Sequence, residues 1–409
     1  MAILDPAAAD PARAEALDAA DPLRAFRDRF AVRGPDLIYL DGNSLGRLPL
    51  ESAARLRTVV EDEWGGELIR AWDHWLDLPV RVGDRLAAAV LGARPGEVVV
   101  SDSTTVNFYK LALAALDARP GRRAIVTDRA NFPTDRYVLE GLARGHGREI
   151  RWIDPDPIDG PQPADVEAVL DGDVALVTLS LVNYRSAAIA DMAAISTLAR
   201  AAGALSLWDL SHAAGSVEVD LETAGADLAV GCTYKYLNAG PGAPAFLYVR
   251  SALQGELRNP IQGWFGQRDQ FAMGPAYAPL AGIASWLTGT PTVPGVAAVE
   301  EGVRLSEEAT ISAIRAKAAA LTTYAIELHD AWLEPLGFSV GSPRDPARRG
   351  AHVAVRHPEG RRLSQALLEE RVVTDFREPD SIRLGLSPLT TSYRDVWTGL
   401  SRLRDLADR

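Results

Sequence analysis

The sequence has little cysteine, and it lacks a long apolar run and a metal-ligand pattern. Its single cysteine, Cys232, excludes an intrachain disulfide and fits a reducing compartment. No run of about 18 uncharged apolar residues is present, which argues against a membrane-spanning helix. Residues 1–20 lack the basic start and apolar core of a secretory signal. None of the six histidines has a partner at metal-ligand spacing, and His352 and His357, which flank a strand end, are predicted to face solvent. We therefore expect a cytoplasmic protein without a metal site.

Lysine is scarce although the chain is rich in arginine. Of the 43 basic residues only three are lysines, namely Lys110, Lys235 and Lys317. Arginine stays protonated and forms no imine at neutral pH, whereas a desolvated lysine can act as a nucleophilic amine. Lys110 and Lys317 lie in helical patterns and are predicted to face solvent. Lys235 follows an apolar strand and is therefore the lysine that chemistry would use.

The composition is that of an ordinary globular protein with more than one domain. The chain has 409 residues, of which 47% are apolar and 24% charged. The net charge of −12 argues against a nucleic-acid partner and against an anionic membrane surface. A small substrate remains compatible with this charge, since a local basic pocket can exist on an acidic protein.

Strands and helices alternate between Glu97 and Val249, and the strands are continuous apolar runs. This pattern predicts a doubly wound α/β domain with a mostly parallel sheet. A long Ala-rich and Glu-rich helical region then leads to a smaller α+β domain. We predict an N-terminal arm over residues 1–50, a large domain over 51–293 and a small C-terminal domain over 294–409. The tryptophan-rich stretch 64–75 is expected to be a loop.

Two strand ends carry the strongest chemical pattern. Asp209 ends one apolar strand, and Lys235 follows the next strand within GCTYKYLNAGPGAP. Ligands of open α/β sheets bind beyond the carboxyl ends of the strands. A carboxylate and an amine at neighbouring strand ends suit pyridoxal phosphate, whose ring nitrogen and aldehyde need these two groups. Exposed Asp and Lys residues are also common at strand ends, so the spacing alone leaves both interpretations open.

Three further segments are candidates for contacts with a ligand. The N-terminus of the helix that begins at Thr104 and Thr105 could bind a phosphate, or those residues could simply cap the helix. In NFPTDRY, Phe132 could stack on a flat ring and Asp135 could hydrogen-bond beside it, or the segment could only open a helix. Arg383 lies among apolar residues and could bind a substrate carboxylate, or it could form an internal ion pair.

At this point the motifs resemble those of a known family, the kynureninases, which are fold-type-I pyridoxal-phosphate enzymes. The likeness covers essentially the whole chain. It is carried by YLDGNSLGRLP, STTVN, NFPTD, WDLSHAAGSVEVDL, CTYKYLNAGPGAPAFLYV, GWFGQ, GTPTV and IRLGLSPLTT. The GNSLG turn, the YKYLNAGPG context and GWFGQ are more specific than the stretch from Asp209 to Pro244, which marks the wider aminotransferase-like superfamily.

The resemblance implies a role for each matching residue. Lys235 would form the Schiff base, Asp209 would hold the ring nitrogen, and Tyr234 would contact the phosphate and transfer a proton. The remaining cofactor contacts would be Thr104, Thr105, Phe132, Asp135, Ser180 and His212. Trp264 and Thr290 would come from the partner subunit of a homodimer. Arg383 and Ser44 would bind the substrate.

The resemblance also implies a reaction, the hydrolytic Cβ–Cγ cleavage of kynurenine or 3-hydroxykynurenine in tryptophan catabolism, on the route to NAD. One alternative is another fold-type-I enzyme, either an aminotransferase or a cysteine desulfurase. A desulfurase needs a cysteine on a mobile loop, whereas Cys232 lies inside a predicted strand. The other alternative is a non-catalytic protein that binds the cofactor, which would be expected to carry a DNA-binding extension or to lack the lysine.

Overall fold

The computed structural model describes residues 9–32, 34 and 36–409. Part of the predicted N-terminal arm, residues 1–8, 33 and 35, therefore lies outside the described residues. In the described part the strands are β1 (Ile38–Tyr39), β2 (Val98–Val100), β3 (Ala124–Asp128), β4 (Glu149–Ile153), β5 (Val174–Ser180), β6 (Leu205–Asp209), β7 (Leu228–Gly231), β8 (Phe246–Val249), β9 (Ser339–Val340), β10 (His352–Arg356), β11 (Val372–Val373), β12 (Asp375–Arg377) and β13 (Ser381–Gly385).

The α-helices surround these strands and are joined by short 3-10 and π segments. The helices are α1 (Pro11–Ala20), α2 (Leu50–Thr58), α3 (Trp72–Trp75), α4 (Leu78–Leu86), α5 (Thr104–Asp117), α6 (Pro133–His146), α7 (Pro163–Glu167), α8 (Met192–Ala201), α9 (Val293–Ala309), α10 (Ile311–Leu328), α11 (Gly360–Glu369) and α12 (Tyr393–Ala407). The shorter segments are Arg24–Arg29, Val59–Glu67, Leu68–Ala71, Ala87–Leu91, Ser251–Leu253, Trp264–Gly266, Gln270–Ala272, Gly282–Trp286, His329–Leu333, Glu334–Leu336 and Pro346–Arg348.

The large sheet confirms the predicted doubly wound fold. Its seven strands have the order β2-β8-β7-β6-β5-β3-β4. Six of them run in the same direction, and β8 runs antiparallel to them. The strand β6 pairs in parallel with both β5 and β7. Side chains on the two faces belong to separate apolar clusters, as Leu207 and Trp208 illustrate. The continuous apolar runs thus reflect strands that helices cover on both faces.

A second, antiparallel sheet of order β12-β13-β10-β9 lies in the C-terminal part of the chain. The early strand β1 pairs in parallel with β11. Ala14 and Leu40 share one apolar cluster with Val353 and Leu384 of this sheet. The N-terminal segment therefore packs against the C-terminal sheet and brings the GNSLG turn toward it. Within the described residues, no helix is both long and apolar enough to cross a membrane.

Three local expectations were wrong. The stretch 64–75 is helical, because Val59–Glu67, Leu68–Ala71 and α3 follow one another. Lys110 and Lys317 were expected to face solvent, but both are buried. Lys110 pairs with Asp102 at 2.8 Å, and Lys317 pairs with Asp21 at 2.6 Å. Asp102 lies just before helix α5, whereas Asp21 is far from Lys317 in the sequence, and such a partner makes the burial of a charged amine tolerable.

Candidate active site

The candidate residues meet at one edge of the large sheet. Because β8 is antiparallel to both β2 and β7, β2 runs in the same direction as β7 and β6. The carboxyl ends of all strands except β8 therefore point to the same edge. These ends and the segments that follow them carry the predicted cofactor residues Thr104, Thr105, Phe132, Asp135, Ser180, Asp209, His212, Tyr234 and Lys235. This is the edge at which open α/β sheets bind their ligands.

Lys235 is buried at this edge and its amine contacts His212. The Lys235 Nζ lies 2.9 Å from His212 Nε2. It also lies 5.9 Å from the centroid of the Phe132 ring and 5.8 Å from that of Tyr234. Burial and the positive charge of Lys235 lower the pKa of His212 well below its ordinary value. His212 is therefore a neutral imidazole that can form a hydrogen bond with the amine of Lys235.

Two buried carboxyl groups face the same space. Asp209 ends β6, and its Oδ1 accepts a hydrogen bond from Ser211 N at 2.8 Å. Burial raises the pKa of Asp135 well above its ordinary value, and the neighbouring charge of Asp209 adds to this effect while Lys235 opposes it. The raised pKa favours the protonated form of Asp135, and in that form its carboxyl can donate a hydrogen bond to Asp209. Such a pair offers one negative charge to a protonated ring nitrogen.

Ser180 and Asn131 support the wall of the site beside Phe132. Ser180 pairs with Asp209 in the register of β5 and β6. The Ser180 hydroxyl donates a hydrogen bond of 2.6 Å to Asn131 Oδ1, which also accepts one of 2.8 Å from Phe132 N. The Phe132 ring packs edge-on against Tyr184 at 5.3 Å. These contacts fix the orientation of the ring that was predicted to stack on a cofactor.

Thr104 and Thr105 open helix α5, and neither acts as its cap. That cap is Ser103, whose hydroxyl accepts a hydrogen bond from Val106 N at 3.3 Å. The first amide groups of a helix point outward and attract phosphate. The two threonines therefore stand where an anion would bind.

Tyr234 is positioned by the GNSLG turn. The Gly46 amide donates a hydrogen bond of 2.8 Å to the Tyr234 carbonyl. A Cβ on Gly46 would lie only 2.3 Å from the Lys235 carbonyl oxygen, so a larger residue would displace the lysine loop. Burial raises the pKa of the Tyr234 phenol, and the neighbouring Cys232 thiol adds to this. Tyr234 consequently stays protonated at neutral pH.

Arg383 is buried in β13 and makes an internal ion pair. Its Nε donates a hydrogen bond of 2.7 Å to Asp375 Oδ2, and its Nη1 donates to the Tyr184 carbonyl. Its Nη2 donates to the Ser44 hydroxyl at 3.3 Å. The structure thus brings together the two residues predicted to bind substrate, Arg383 and Ser44. It also shows the internal ion pair that the sequence had left as an alternative.

Trp264 and Thr290 lie apart from this group in the described structure. Trp264 is 37% exposed and packs edge-on against Phe265 and Phe271. Thr290 is exposed and lines a cavity of about 170 Å³ together with Asp102 and Thr288. Neither makes a hydrogen bond or ring contact with Lys235, Phe132 or Asp209 within the described part of the chain.

Sequence reasoning missed three residues at the site. Asn131 was part of a quoted motif but had no assigned role, and Asp375 is one strand away from its partner Arg383. His352 was expected to face solvent, but it is fully buried and its ring lies 5.5 Å from that of His212. The apolar residues around His352, in AHVAV, were a signal of burial that could have been used.

The residues at this edge fit pyridoxal phosphate. The buried amine suits the aldehyde of the cofactor, and the adjacent carboxyl pair suits its ring nitrogen. The face of the aromatic ring suits the flat ring of the cofactor, and the helix N-terminus suits its phosphate. The amine of Lys235 points into this group, since the side chain is buried and its Nζ contacts His212. Asp135 Oδ2 and His212 Nδ1 are buried polar atoms that have no hydrogen-bond partner among the described residues.

Known proteins resemble the chain over nearly its whole length. A kynureninase of Pseudomonas fluorescens is 44% identical over 403 residues, which cover 96% of this chain and 94% of that protein. A kynureninase of Burkholderia pseudomallei strain K96243 is 44% identical over 401 residues, with the same shares of both chains. Residues 314–403 match the family model described as the kynureninase C-terminal domain.

Solved structures of lower identity share the fold. A cysteine desulfurase of Thermococcus onnurineus NA1, solved in its apo form, has a TM-score of 0.79 at 18% identity, covering 93% of this chain and 99% of that one. A C-DES variant with glycine covalently linked to its PLP cofactor has a TM-score of 0.76 at 20% identity, with coverage of 91% and 97%.

These structural likenesses show the fold alone, whereas the sequence likeness shows the family. The single cysteine, Cys232, is buried behind the lysine loop, where it could not serve as the mobile nucleophile of a desulfurase. At 44% identity over 96% of its length, the chain belongs to the kynureninase family and is a pyridoxal-phosphate enzyme.

Proposed function

We propose that this enzyme cleaves L-kynurenine between Cβ and Cγ with water, giving anthranilate and L-alanine, as a step of tryptophan catabolism on the route to NAD. The same reaction on 3-hydroxykynurenine would give 3-hydroxyanthranilate. The observation that carries the proposal is the buried amine of Lys235 at the ligand-binding edge of a chain that aligns with kynureninases almost throughout. Water supplies the hydroxyl of the new carboxylic acid and the proton that alanine gains.

We propose that the cofactor is held at both ends by the residues of the sheet edge. Lys235 binds its aldehyde carbon, the Asp209 and Asp135 pair holds its ring nitrogen, and Phe132 covers one face of the ring. Thr104, Thr105 and Tyr234 bind the phosphate, and Ser180 and His212 line the ring. When bound, pyridoxal phosphate supplies a conjugated pyridinium ring that accepts the electron pair released at the substrate carbon.

The chain's own groups then move the protons. Lys235 Nζ is the base that takes the proton from the substrate Cα, and His212 orients this amine through the 2.9 Å contact. Because burial keeps the Tyr234 phenol protonated, it can donate the proton that the Cβ of alanine receives. Arg383 and Ser44 orient the substrate through its carboxylate, so that Cα faces the lysine.

The test is the release of fluorescent anthranilate when the purified enzyme is incubated with kynurenine and pyridoxal phosphate. We expect turnover by the wild type, and none by Lys235→Ala. Lys235→Arg is the matched control, because it keeps the positive charge but forms no imine. Full turnover or retained covalent cofactor absorbance in Lys235→Ala would refute the role of this lysine. An amino form of the cofactor that accumulates and needs a keto acid would indicate an aminotransferase instead.

We further propose a cytoplasmic homodimer with its active site at the subunit interface. Several apolar side chains near Trp264 are exposed in the single subunit, among them Phe271 at 65% and Met273 at 75%. Exposed apolar groups in such a cluster favour contact with another surface. We also propose that residues 1–50, 51–293 and 294–409 form the N-terminal arm, the large domain and the small domain.

A further inference from the structure

His352 is a buried polar residue to which neither the sequence motifs nor the resemblance gives a role. It begins β10, where it pairs with Gly385 of β13, and Ala354 pairs with Arg383. Residues two apart on a strand share one face, as do residues that lie directly opposite on antiparallel strands. His352 and Arg383 therefore lie on the same face of the small sheet.

This face meets the lysine edge of the large sheet through two histidine rings. The His352 ring lies 5.5 Å from the His212 ring at an angle of 56°. On its other side, His212 contacts Lys235 Nζ through Nε2 at 2.9 Å. The two imidazoles thus lie in sequence between the amine of Lys235 and the sheet that carries Arg383, with no direct hydrogen bond between the rings.

The hydrogen-bonding capacity of the two imidazoles is largely unused by other groups. Among the described residues, His212 Nδ1 and both ring nitrogens of His352 have no hydrogen-bond partner of good geometry. The backbone at Tyr184 and Arg185 lies within hydrogen-bonding range of the His352 ring and raises its pKa, against the larger effect of burial. At this ring separation, a small rotation or one bridging water molecule would join the two imidazoles.

Both imidazoles are uncharged at neutral pH. Burial lowers the pKa of His352 well below its ordinary value, and the charges of Arg383 and Lys235 act in the same direction. A neutral imidazole has one N–H donor and one acceptor nitrogen. If His212 Nε2 accepts a hydrogen bond from the amine of Lys235, the ring proton of His212 must be on Nδ1. That proton then needs an acceptor on the side of His352.

We propose that His352 is a positioning residue of the active site, which fixes the tautomer and ring orientation of His212 and thereby holds Lys235 Nζ ready to exchange a proton. The inference rests on the proposed function, since it concerns the same lysine. It adds a residue of the small sheet to the groups that handle the proton, so the packing of the small sheet against the large one helps to position the base.

The test compares His352→Leu, which removes both nitrogens, with His352→Gln, which keeps a donor and an acceptor at similar reach. The first readout is the pH at which the visible absorbance of the lysine-bound cofactor changes in the absence of substrate. The second is the exchange of the Cα proton of L-alanine in D₂O, followed by NMR. The third is the separation of kcat from KM with kynurenine. The first two readouts do not require cleavage of kynurenine.

We expect His352→Leu to slow exchange and kcat by about 10- to 100-fold with KM changed by less than about 3-fold, as for other residues that orient a functional imidazole. The pH midpoint of the absorbance change should fall by about one unit, because His212 is no longer held in the tautomer whose Nε2 accepts a hydrogen bond from the protonated nitrogen of Lys235. His352→Gln should recover most of each change. If the leucine variant does not fold, His352→Ala gives the same readouts.

An unchanged midpoint and exchange rate in His352→Leu would overturn the inference. A rise in KM with unchanged kcat would also overturn it, because His352 would then act on the substrate directly. Failure of the proposed function is distinguishable from both outcomes. In that case the wild type would not release anthranilate, whereas the midpoint and the alanine exchange would still respond to His352.

Discussion

Arg383 satisfies its donors with oxygen atoms of three residues, Asp375, Tyr184 and Ser44. Burial lowers the pKa of this guanidinium, and the charge of Asp375 opposes that effect. Asp375 also accepts a hydrogen bond of 2.8 Å from Arg377. Asp375 therefore accepts hydrogen bonds from two arginines, of which Arg383 is buried and Arg377 is partly exposed.

We predict that Arg383→Gln lowers kcat/KM for kynurenine by about 100-fold, because a bidentate pair with a carboxylate contributes about 1.5–3 kcal/mol. The visible spectrum of the bound cofactor should stay unchanged. Arg377→Gln, which touches the same Asp375, should change kcat/KM by less than about 3-fold, as for an exposed ion pair. Equal losses of kcat/KM in both variants would show that the effect of Arg383→Gln comes from loss of the internal ion pair and not from loss of substrate binding.

Asp41, in the turn beside Ser44, makes the free energy of unfolding depend on pH. Burial raises its pKa to about 6 from the ordinary value of 3.8. Between these two values the unfolded chain releases the proton while the folded chain keeps it. This group therefore makes the folded state less stable as the pH rises through that window, by up to about 3 kcal/mol.

We predict that Asp41→Asn removes this component. The free energy of unfolding, measured with urea from pH 4 to pH 7, should then fall less with pH than in the wild type. Asp408→Asn, at an exposed position near the C-terminus, is the control and should leave the profile unchanged. Identical profiles for wild type and Asp41→Asn would contradict the prediction.

At the scale of elements, α5 links the phosphate candidates to a distant loop. Thr104 and Thr105 open this helix, and Lys110 lies further along it with no exposed surface. The Lys110 Nζ lies 2.8 Å from Asp102 Oδ2 and 2.8 Å from the Trp286 carbonyl oxygen. Asp102 also accepts a hydrogen bond from the Thr288 hydroxyl at 3.3 Å. The buried pair thus ties the start of α5 to the segment that carries Thr290.

We predict that Lys110→Met lowers the free energy of unfolding by about 3–5 kcal/mol, the usual result of removing one partner of a buried ion pair. It should also weaken cofactor binding about 10-fold or more, because phosphate contacts at helix α5 lose their support. Lys317→Met is the matched control, since Lys317 is a buried lysine paired with Asp21 away from the phosphate candidates. It should lose stability but keep cofactor affinity. Equal cofactor affinities for the two variants, measured by absorbance titration, would contradict the link.

At the scale of the whole molecule, the site lacks contacts from two of its predicted residues. Among the described residues, Trp264 packs against Phe265 and Thr290 lines a cavity with Asp102, and neither contacts Lys235. In a symmetric dimer each subunit can supply such residues to the other. One subunit would then provide the amine and the other would complete the phosphate site.

We predict that a hybrid dimer of Lys235→Ala subunits and Trp264→Ala/Thr290→Ala subunits regains on the order of half the activity of the wild-type dimer, because one of its two sites is intact. Each parent homodimer should be nearly inactive. Sedimentation analysis should give twice the mass of one chain. A hybrid without activity, or a monomeric mass, would show that the site is built within a single subunit.

The sequence by itself determined the architecture of the large sheet and the residues at its functional edge. Continuous apolar runs of strand length that alternate with helical patterns indicate strands covered on both faces, and the carboxyl ends of parallel strands share an edge. The placement of Asp209, Lys235, Phe132 and Thr104 followed from this rule, and the rarity of lysine marked the candidate amine.

Only the tertiary structure decided which polar groups are buried together. Lys110 and Lys317 looked like surface residues because their carboxylate partners, Asp102 and Asp21, are not identifiable from helical periodicity. His352 meets His212 only when the small sheet packs against the large one. The pattern of residues along one helix or strand indicates which of its faces is buried. Contacts between two elements depend on how their faces pack, and no local sequence pattern specifies this packing.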